Sequence, residues 1–130
     1  PYLVAEVFNA DAEIQQEAEP AVWRRAMSPA TATVLAEMME SVVADGTGRN
    51  AAVDGIRIAG KTGTAQVPDA APHAWFVGYG SVDAGPEEPQ IVVAVVVESG
   101  GDRGLDGTGG SVAAPIAGAV FREFFGLTPE

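Results

Sequence analysis

Cysteine is absent from the 130-residue chain, and lysine and histidine each occur once, as Lys61 and His73. The absence of cysteine excludes disulfide bonds and thiolate metal sites. A single histidine, among acidic residues that lack the spacing of metal ligands, argues against a zinc site, so we expect no metal and no cofactor. No stretch reaches the roughly 18 consecutive apolar residues of a membrane-spanning helix, and no signal peptide is visible.

Positive charge is scarce as well. Seven basic residues stand against eighteen aspartates and glutamates, and the formal net charge is −11. Such an acidic chain is poorly suited to binding nucleic acid or an anionic membrane surface. With 47% hydrophobic residues, the chain is long enough for one domain with a modest core. Because its first residue is Pro1 and not Met, we expect it to be part of a longer protein.

The hydrophobic pattern predicts a strand, a helix, three strands and a second helix. Ser28 and Pro29 are typical of a helix start, apolar residues then recur at helical spacing, and Gly46 is typical of a helix end. The predicted strands are 1–9, 56–67, 74–79 and 91–97, and the second helix runs from about 111 to 125. Short connections between the last three strands require antiparallel pairing. The predicted fold class is therefore α/β of the α+β type, with an antiparallel sheet flanked by helices.

The same pattern predicts which segments are buried. Met38 and Met39 are expected on the core face of the first helix, and the apolar run 91–97 is typical of a strand buried on both faces. The acidic segment 11–19 is interpreted as an exposed connection, and residues 69–72 as a turn.

Outside the lysine motif, the candidate side chains are interpreted mainly as structural rather than catalytic. We interpret His73 as making a structural hydrogen bond that closes the turn before it, and Arg57 as a solvated or salt-bridged residue at a strand edge. The glycine-rich loop 100–110, which carries Asp102 and Arg103, is open to two interpretations: a border of a substrate groove, or simple flexibility.

The single lysine lies in a motif that allows two interpretations. Residues 59–65 read Ala-Gly-Lys-Thr-Gly-Thr-Ala, a cation with neighbouring hydroxyls and glycines that suits an anion. Residues 55–62 satisfy the phosphate-loop pattern G-x-x-x-x-G-K-[ST] letter for letter. The same stretch contains the Lys-Thr-Gly element of penicillin-recognising serine enzymes.

The flanking sequence argues against the phosphate loop and for a strand. A phosphate loop follows a buried strand and opens a helix, but residues 49–54 are polar and Pro68 disfavours a helix after the lysine. On an extended strand, Thr62 and Thr64 point to one side and Lys61 to the other. Two adjacent hydroxyls on a glycine-opened edge suit an extended peptide and its carboxylate.

Five short segments together make the chain resemble a known family. They are Gly-Lys-Thr-Gly-Thr-Ala at 60–65, Ser-Pro-Ala-Thr-Ala at 28–32, Gly-Thr-Gly at 46–48, His-Ala-Trp-Phe-Val-Gly at 73–78 and Ala-Ala-Pro-Ile at 113–116. In this order they resemble the C-terminal part of the transpeptidase domain of class B penicillin-binding proteins, most of all the actinobacterial penicillin-binding protein A group. The resemblance covers roughly residues 20–125.

The resemblance implies a penicillin-binding/β-lactamase-like transpeptidase fold and a peptidoglycan D,D-transpeptidase. Such an enzyme cross-links D-Ala-D-Ala stem peptides by serine acyl transfer, and β-lactams acylate the same serine. By resemblance, Lys61 would supply positive potential and assist proton transfer, and the backbone N–H of Thr64 would be an oxyanion donor, so both are catalytic candidates. Lys61, Thr62, Gly63 and Thr64 would bind the substrate or the β-lactam: the two threonines through its carboxylate, Gly63 by keeping the strand accessible.

Two of the three family motifs are missing. Because Lys61 is the only lysine, Ser-x-x-Lys would need serine at position 58, which is Ile58. Ser-x-Asn is absent too, since neither Asn9 nor Asn50 has serine two positions before it. We therefore expect residues 1–130 to be the C-terminal portion of a single transpeptidase domain, with the nucleophile and the general base on an N-terminal portion.

The implied partners are that N-terminal portion, peptidoglycan stem peptides, β-lactam antibiotics and proteins of cell division or elongation, with no nucleic acid. The implied location is extracytoplasmic, with a membrane anchor in an N-terminal segment. Two alternatives stay open. One is a β-lactamase or D,D-carboxypeptidase of the same superfamily; the other is a non-catalytic penicillin-binding sensor or scaffold.

Overall fold

The computed structural model describes residues 3–19, 21–82 and 89–127. Its main elements are β1 (Glu6–Phe8), β2 (Ile14–Glu17), α1 (Pro29–Ala44), β3 (Arg57–Val67), β4 (Ala70–Ser81), β5 (Ile91–Val97) and α2 (Ala114–Phe124). Three short turns connect them: a 3₁₀ turn (Arg49–Ala51), a loop of 3₁₀ type (Glu98–Asp106) and a π turn (Gly109–Ala113) that runs into α2.

The central sheet has the order β3-β4-β5, and both strand pairs are antiparallel, as the short connections predict. A separate hairpin is formed by β1 and β2. The segment 11–19 is exposed as predicted, but the interpretation as a plain connection is wrong, because β2 lies in it and pairs with β1. The first strand is also shorter than predicted, and residues 1 and 2 lie outside the described residues.

The turn between β3 and β4 is tighter than predicted. Val67 pairs with Ala70, so β4 already begins at Ala70 and the turn is only Pro68 and Asp69. The ring of Pro68 sets φ near −65°, and Asp69 adopts a φ of 57°, which an aspartate tolerates better than most residues. The predicted turn over 69–72 is therefore wrong by about two residues.

Helix α1 begins and ends where the sequence predicts. The Ser28 hydroxyl accepts a hydrogen bond from the Thr31 N–H at 3.1 Å, and Pro29 occupies the first turn, where it has no N–H to lose. The predicted core face is only partly right, because Met39 is half-buried but Met38 is not in the core. Val43 is the buried residue of the helix, and Met38 is 62% exposed. Apolar periodicity shows which side of a helix is apolar, but not whether another element covers that side.

The core lies on one face of the sheet. Successive residues of the paired strands point to opposite faces, and the threonine face carries Thr62, Thr64, Phe76 and Val93 together with their register partners. Helix α2 covers this face: a side chain added at Gly80 would meet the ring of Phe121. The buried cluster comprises Val43, Ala51, Ile58, Ala74, Phe76, Val93, Ala113, Ala114, Ala117 and Phe121.

The opposite face of the sheet, the lysine face, carries Lys61, Trp75, Val77, Val92 and Val96 with their register partners. In the described part of the chain much of it stays exposed, with 73% of Val92 and 48% of Val96 accessible. The prediction that β5 is buried on both faces is therefore wrong. An unbroken apolar run is consistent with burial on either one face or two, and here α2 covers only the threonine face.

Candidate functional site

The strand interpretation of the lysine motif is confirmed. Residues 57–67 form β3, and no helix follows the lysine. Thr62 pairs with Phe76 and Thr64 with Ala74 on the threonine face, whereas Lys61 pairs with Val77 on the lysine face. The two threonine hydroxyls therefore share one side of the strand, as the alternation predicts.

A cavity of about 680 Å³ lies beside these two threonines. Most of its lining residues have polar side chains, which include hydroxyls, an amide and one side chain of each charge. Its lining residues are Asp45, Gly46, Thr47, Arg49, Asn50, Thr62, Thr64, Thr108, Gly110 and Ser111. The lining thus comes from three segments of the chain: the turn after α1, strand β3, and the start of the π turn.

The start of the π turn is held by a capping box. The Thr108 hydroxyl accepts from the Ser111 N–H at 3.2 Å, and the Ser111 hydroxyl accepts from the Thr108 N–H at 3.0 Å. Between them Gly109 approaches the backbone of the sheet so closely that a Cβ there would lie 2.6 Å from the Gly63 carbonyl oxygen. Only glycine allows this contact, and it brings Thr108 and Ser111 beside the threonine face.

The turn after α1 reaches the same cavity from the other side. The hydroxyls of Thr47 and Thr62 are 2.7 Å apart and share a hydrogen bond. The Asn50 amide donates to the Gly110 carbonyl at 2.8 Å, which ties the turn to the start of the π turn. These two bonds join segments that are 15 and 60 residues apart in the chain.

Lys61 does not line this cavity. Its side chain is exposed, and its ammonium donates to the carbonyl oxygen of Thr62. The strand alternation therefore keeps the lysine on the far side from the threonine hydroxyls, with the ammonium held close to the backbone of its own strand.

The other sequence candidates have structural contacts. Arg57 forms an ion pair with Glu40 of α1, and the hydrogen bond to that carboxylate raises the pKa of Arg57 above its usual value. Nδ1 of His73 accepts from the Ser99 N–H at 2.9 Å, which fastens the loop Glu98–Asp106 to β4. The ion pair confirms the interpretation of Arg57 as a salt-bridged residue. His73 makes a structural hydrogen bond as predicted, but this bond holds the loop Glu98–Asp106 and does not close the turn before His73.

Of the glycine-rich loop 100–110, Asp102 and Arg103 do not line the cavity, whereas Thr108 and Gly110 at the end of the loop do. Sequence reasoning missed the lining residues that come from the turn after α1, and it missed Ser111. A signal was present: Asp-Gly-Thr-Gly occurs twice, at 45–48 and 106–109. Both copies bring their threonine to this cavity.

The cavity is chemically suited to hold an anion rather than to break a bond. Its threonine and serine hydroxyls can donate hydrogen bonds to a carboxylate. The lining includes no lysine or histidine that would serve as a general base.

No group of three potential metal ligands was found among residues 3–19, 21–82 and 89–127. No helix of that part of the chain is long and apolar enough to cross a membrane.

The family model described as "Penicillin binding protein transpeptidase domain" matches residues 1–122. This chain belongs to the penicillin-binding protein transpeptidase family. Among curated family members, the chain is 40% identical over 125 residues to the peptidoglycan D,D-transpeptidase PbpA of Mycolicibacterium smegmatis, covering 92% of this chain and 24% of the relative. It is 35% identical over 130 residues to the stage V sporulation protein D of Bacillus subtilis, covering 95% and 19%.

Solved structures of the family agree in fold. Penicillin-binding protein A from Mycobacterium tuberculosis, in its ceftriaxone acyl-enzyme complex, superposes with a TM-score of 0.75 at 37% identity, covering 94% of this chain and 27% of that one. The D,D-transpeptidase domain from Eggerthella lenta superposes with a TM-score of 0.72 at 35% identity, covering 98% and 28%. The chain thus spans about a quarter of the length of the family members that it matches.

Proposed function

We propose that this chain is the substrate-clamp portion of a peptidoglycan D,D-transpeptidase that cross-links D-Ala-D-Ala stem peptides by serine acyl transfer. The observation that carries the proposal is the threonine face of β3, where Thr62 and Thr64 border a polar cavity. Membership of the transpeptidase family supports it, as do relatives named as D,D-transpeptidases.

Each residue of the motif has a proposed part. Thr62 and Thr64 donate hydrogen bonds from their hydroxyls to the carboxylate of the stem peptide or of a β-lactam, and Gly63 leaves the strand edge open to the substrate. The N–H of Thr64 is one of two donors to the oxyanion, a type of contact worth about 3–4 kcal/mol in acyl transfer. Lys61, on the other face, provides positive potential and assists proton transfer near the serine.

The nucleophilic serine and the general base come, in this proposal, from another portion of the same domain. Two observations support this. The sequence has no Ser-x-x-Lys, and the apolar lysine face, with Trp75 41% and Val92 73% exposed, offers a surface on which more of the domain can pack. We further propose an extracytoplasmic location with a membrane anchor N-terminal to this chain, and partners in cell division or elongation.

Labelled penicillin tests the function on the intact protein that contains this chain. A stable covalent adduct is expected. Rapid turnover of the adduct would favour a β-lactamase, and release of D-Ala without cross-linking would favour a D,D-carboxypeptidase. The absence of any adduct would refute the serine acyl-transfer function and favour a non-catalytic scaffold.

Lys61→Ala tests the role of the lysine. Acylation should slow by roughly 10²-fold or more, the scale of a positioned proton-transfer group. Thr64→Val should have a smaller effect because its backbone N–H is retained. Both rates are measured as the second-order rate constant of penicillin acylation. An unchanged rate in Lys61→Ala would remove Lys61 from the mechanism.

A further inference from the structure

The hydroxyl of Thr62 has a neighbour from a different part of the chain. Thr47, in the turn after α1, lies 15 residues away in sequence, and the two Oγ1 atoms are 2.7 Å apart. Both side chains border the cavity that also contains Thr64. A bond of this length between hydroxyls is near the optimum for O–H···O, so the orientation of one hydroxyl depends on the other.

The direction of this hydrogen bond determines what Thr62 can offer to a ligand. A threonine hydroxyl carries one proton and two lone pairs. If Thr62 donates to Thr47, it can offer only lone pairs to the cavity, and these repel a carboxylate. If it accepts from Thr47, its own proton is free to point at the carboxylate. A bound anion therefore selects the order Thr47 to Thr62 to carboxylate, in which each bond polarises the next.

Thr47 is held in position by the backbone around it. The Gly48 N–H donates to the Val42 carbonyl at 2.9 Å, which closes the turn at the end of α1. On the other side, a Cβ at Gly110 would fall inside contact distance of the Thr47 carbonyl oxygen, so the turn packs directly on the start of the π turn. Its hydroxyl therefore approaches Thr62 from a turn that is fastened on both sides.

We propose that Thr47 is a positioning residue for substrate binding: by donating to Thr62, it directs the Thr62 hydroxyl proton at the carboxylate of the stem peptide or β-lactam. This inference rests on the proposed function, and it adds a residue outside the Lys-Thr-Gly motif. It predicts that the effect of Thr47 depends on the Thr62 hydroxyl and on a negative charge in the ligand.

The test is a double-mutant cycle in the intact protein, with the second-order rate constant of penicillin acylation as the readout. Thr47→Val, which keeps the shape and removes the hydroxyl, should slow acylation by roughly 10-fold, the scale of one hydrogen bond to a charged group. Thr47→Ser should restore a nearly unsubstituted rate. In a Thr62→Val background, Thr47→Val should cost almost nothing further, because the hydroxyl through which it acts is gone.

Two further measurements separate positioning from a structural effect. With penicillin methyl ester, which carries no carboxylate, the penalty of Thr47→Val should disappear. Thr33→Val makes the same substitution at an exposed residue of α1, whose hydroxyl donates to the Pro29 carbonyl of its own helix, and it should leave acylation unchanged.

An equal penalty in both Thr62 backgrounds, an equal penalty with the ester, or no penalty at all would overturn the inference. Thermal unfolding of each variant shows whether Thr47→Val folds, and Thr47→Ser provides the comparison if it does not. If the unsubstituted protein forms no penicillin adduct, the proposed transpeptidase function is refuted and this inference with it.

Discussion

Replacing Gly109 with alanine should disturb the candidate site through the backbone. A Cβ at this position would lie 2.6 Å from the Gly63 carbonyl oxygen and 2.8 Å from the Gly63 nitrogen, and closer still to the Trp75 carbonyl oxygen. Real Cβ atoms do not come this close to backbone atoms, and a paired backbone cannot rotate aside as a side chain can. Either β3 or the start of the π turn must therefore move.

The expected cost is the difference between two opposing terms. Inserting a methyl group into a packed site costs about 1–3 kcal/mol, and the upper end applies because all three opposing atoms are backbone. Alanine in place of glycine in a helical turn returns up to about 1 kcal/mol. The net loss of unfolding free energy is then about 2 kcal/mol, which for a domain of 150–250 residues lowers the Tm by roughly 4–8 °C.

In free-energy terms, the rate of penicillin acylation should fall by more than the free energy of unfolding. A shift of about 1 Å in the strand that carries Gly63 displaces Thr62 and Thr64, and misplacement of that size can cost roughly 10²-fold in rate. The assay is penicillin acylation of the intact protein at a temperature where both forms are folded, together with urea unfolding.

Gly126→Ala is the matched control. Gly126 follows α2 with a φ of 67° and open space around it, so alanine there should cost about 1 kcal/mol through backbone conformation alone. It should lower the Tm without changing the acylation rate. If Gly109→Ala unfolds at the same urea concentration as the unsubstituted protein and is acylated at the same rate, the close approach of Gly109 to β3 is refuted.

Two further variants test contacts that support the site. Gly60→Ala would place a Cβ 2.8 Å from Cε2 of the fully buried Phe76 and closer still to its Cζ, and should cost about 1–3 kcal/mol in urea unfolding. The cost should be smaller in a Phe76→Leu background, and an equal cost in both would contradict the contact. His73→Phe removes the acceptor of the Ser99 N–H, and hydrogen exchange of that amide should quicken by about 5-fold, the effect of losing about 1 kcal/mol. Exchange that stays unchanged would show that His73 does not fasten the loop.

Local signals in the sequence were sufficient to predict the start of helix α1 and the faces on which the side chains of β3 lie. The N-cap Ser28 and the following proline specify a helix start by satisfying the first backbone donors, and the structure confirms it. The two-residue period of a strand places Thr62 and Thr64 on one face and Lys61 on the other, whatever surrounds them. These features depend on neighbours within a few residues, and such neighbours are visible in a sequence.

Burial could not be predicted in the same way. Met38 and Val92 have the pattern of core residues but are exposed, because burial requires a second layer, and the described elements leave these two positions uncovered. Periodicity states which side of an element is apolar. It does not state which element packs on that side.

The sequence by itself determined that the lysine motif forms a strand and that its two threonine hydroxyls share one face. It also determined that the single lysine leaves none for a Ser-x-x-Lys motif. Only the tertiary structure decided that Thr47 and Thr108, 61 positions apart, border the same cavity as Thr62. The physical reason is that Gly109 and Gly110 lack side chains, which lets one turn of the chain approach the backbone of two others. Such an approach depends on three segments meeting in space, and no spacing within one of them predicts it.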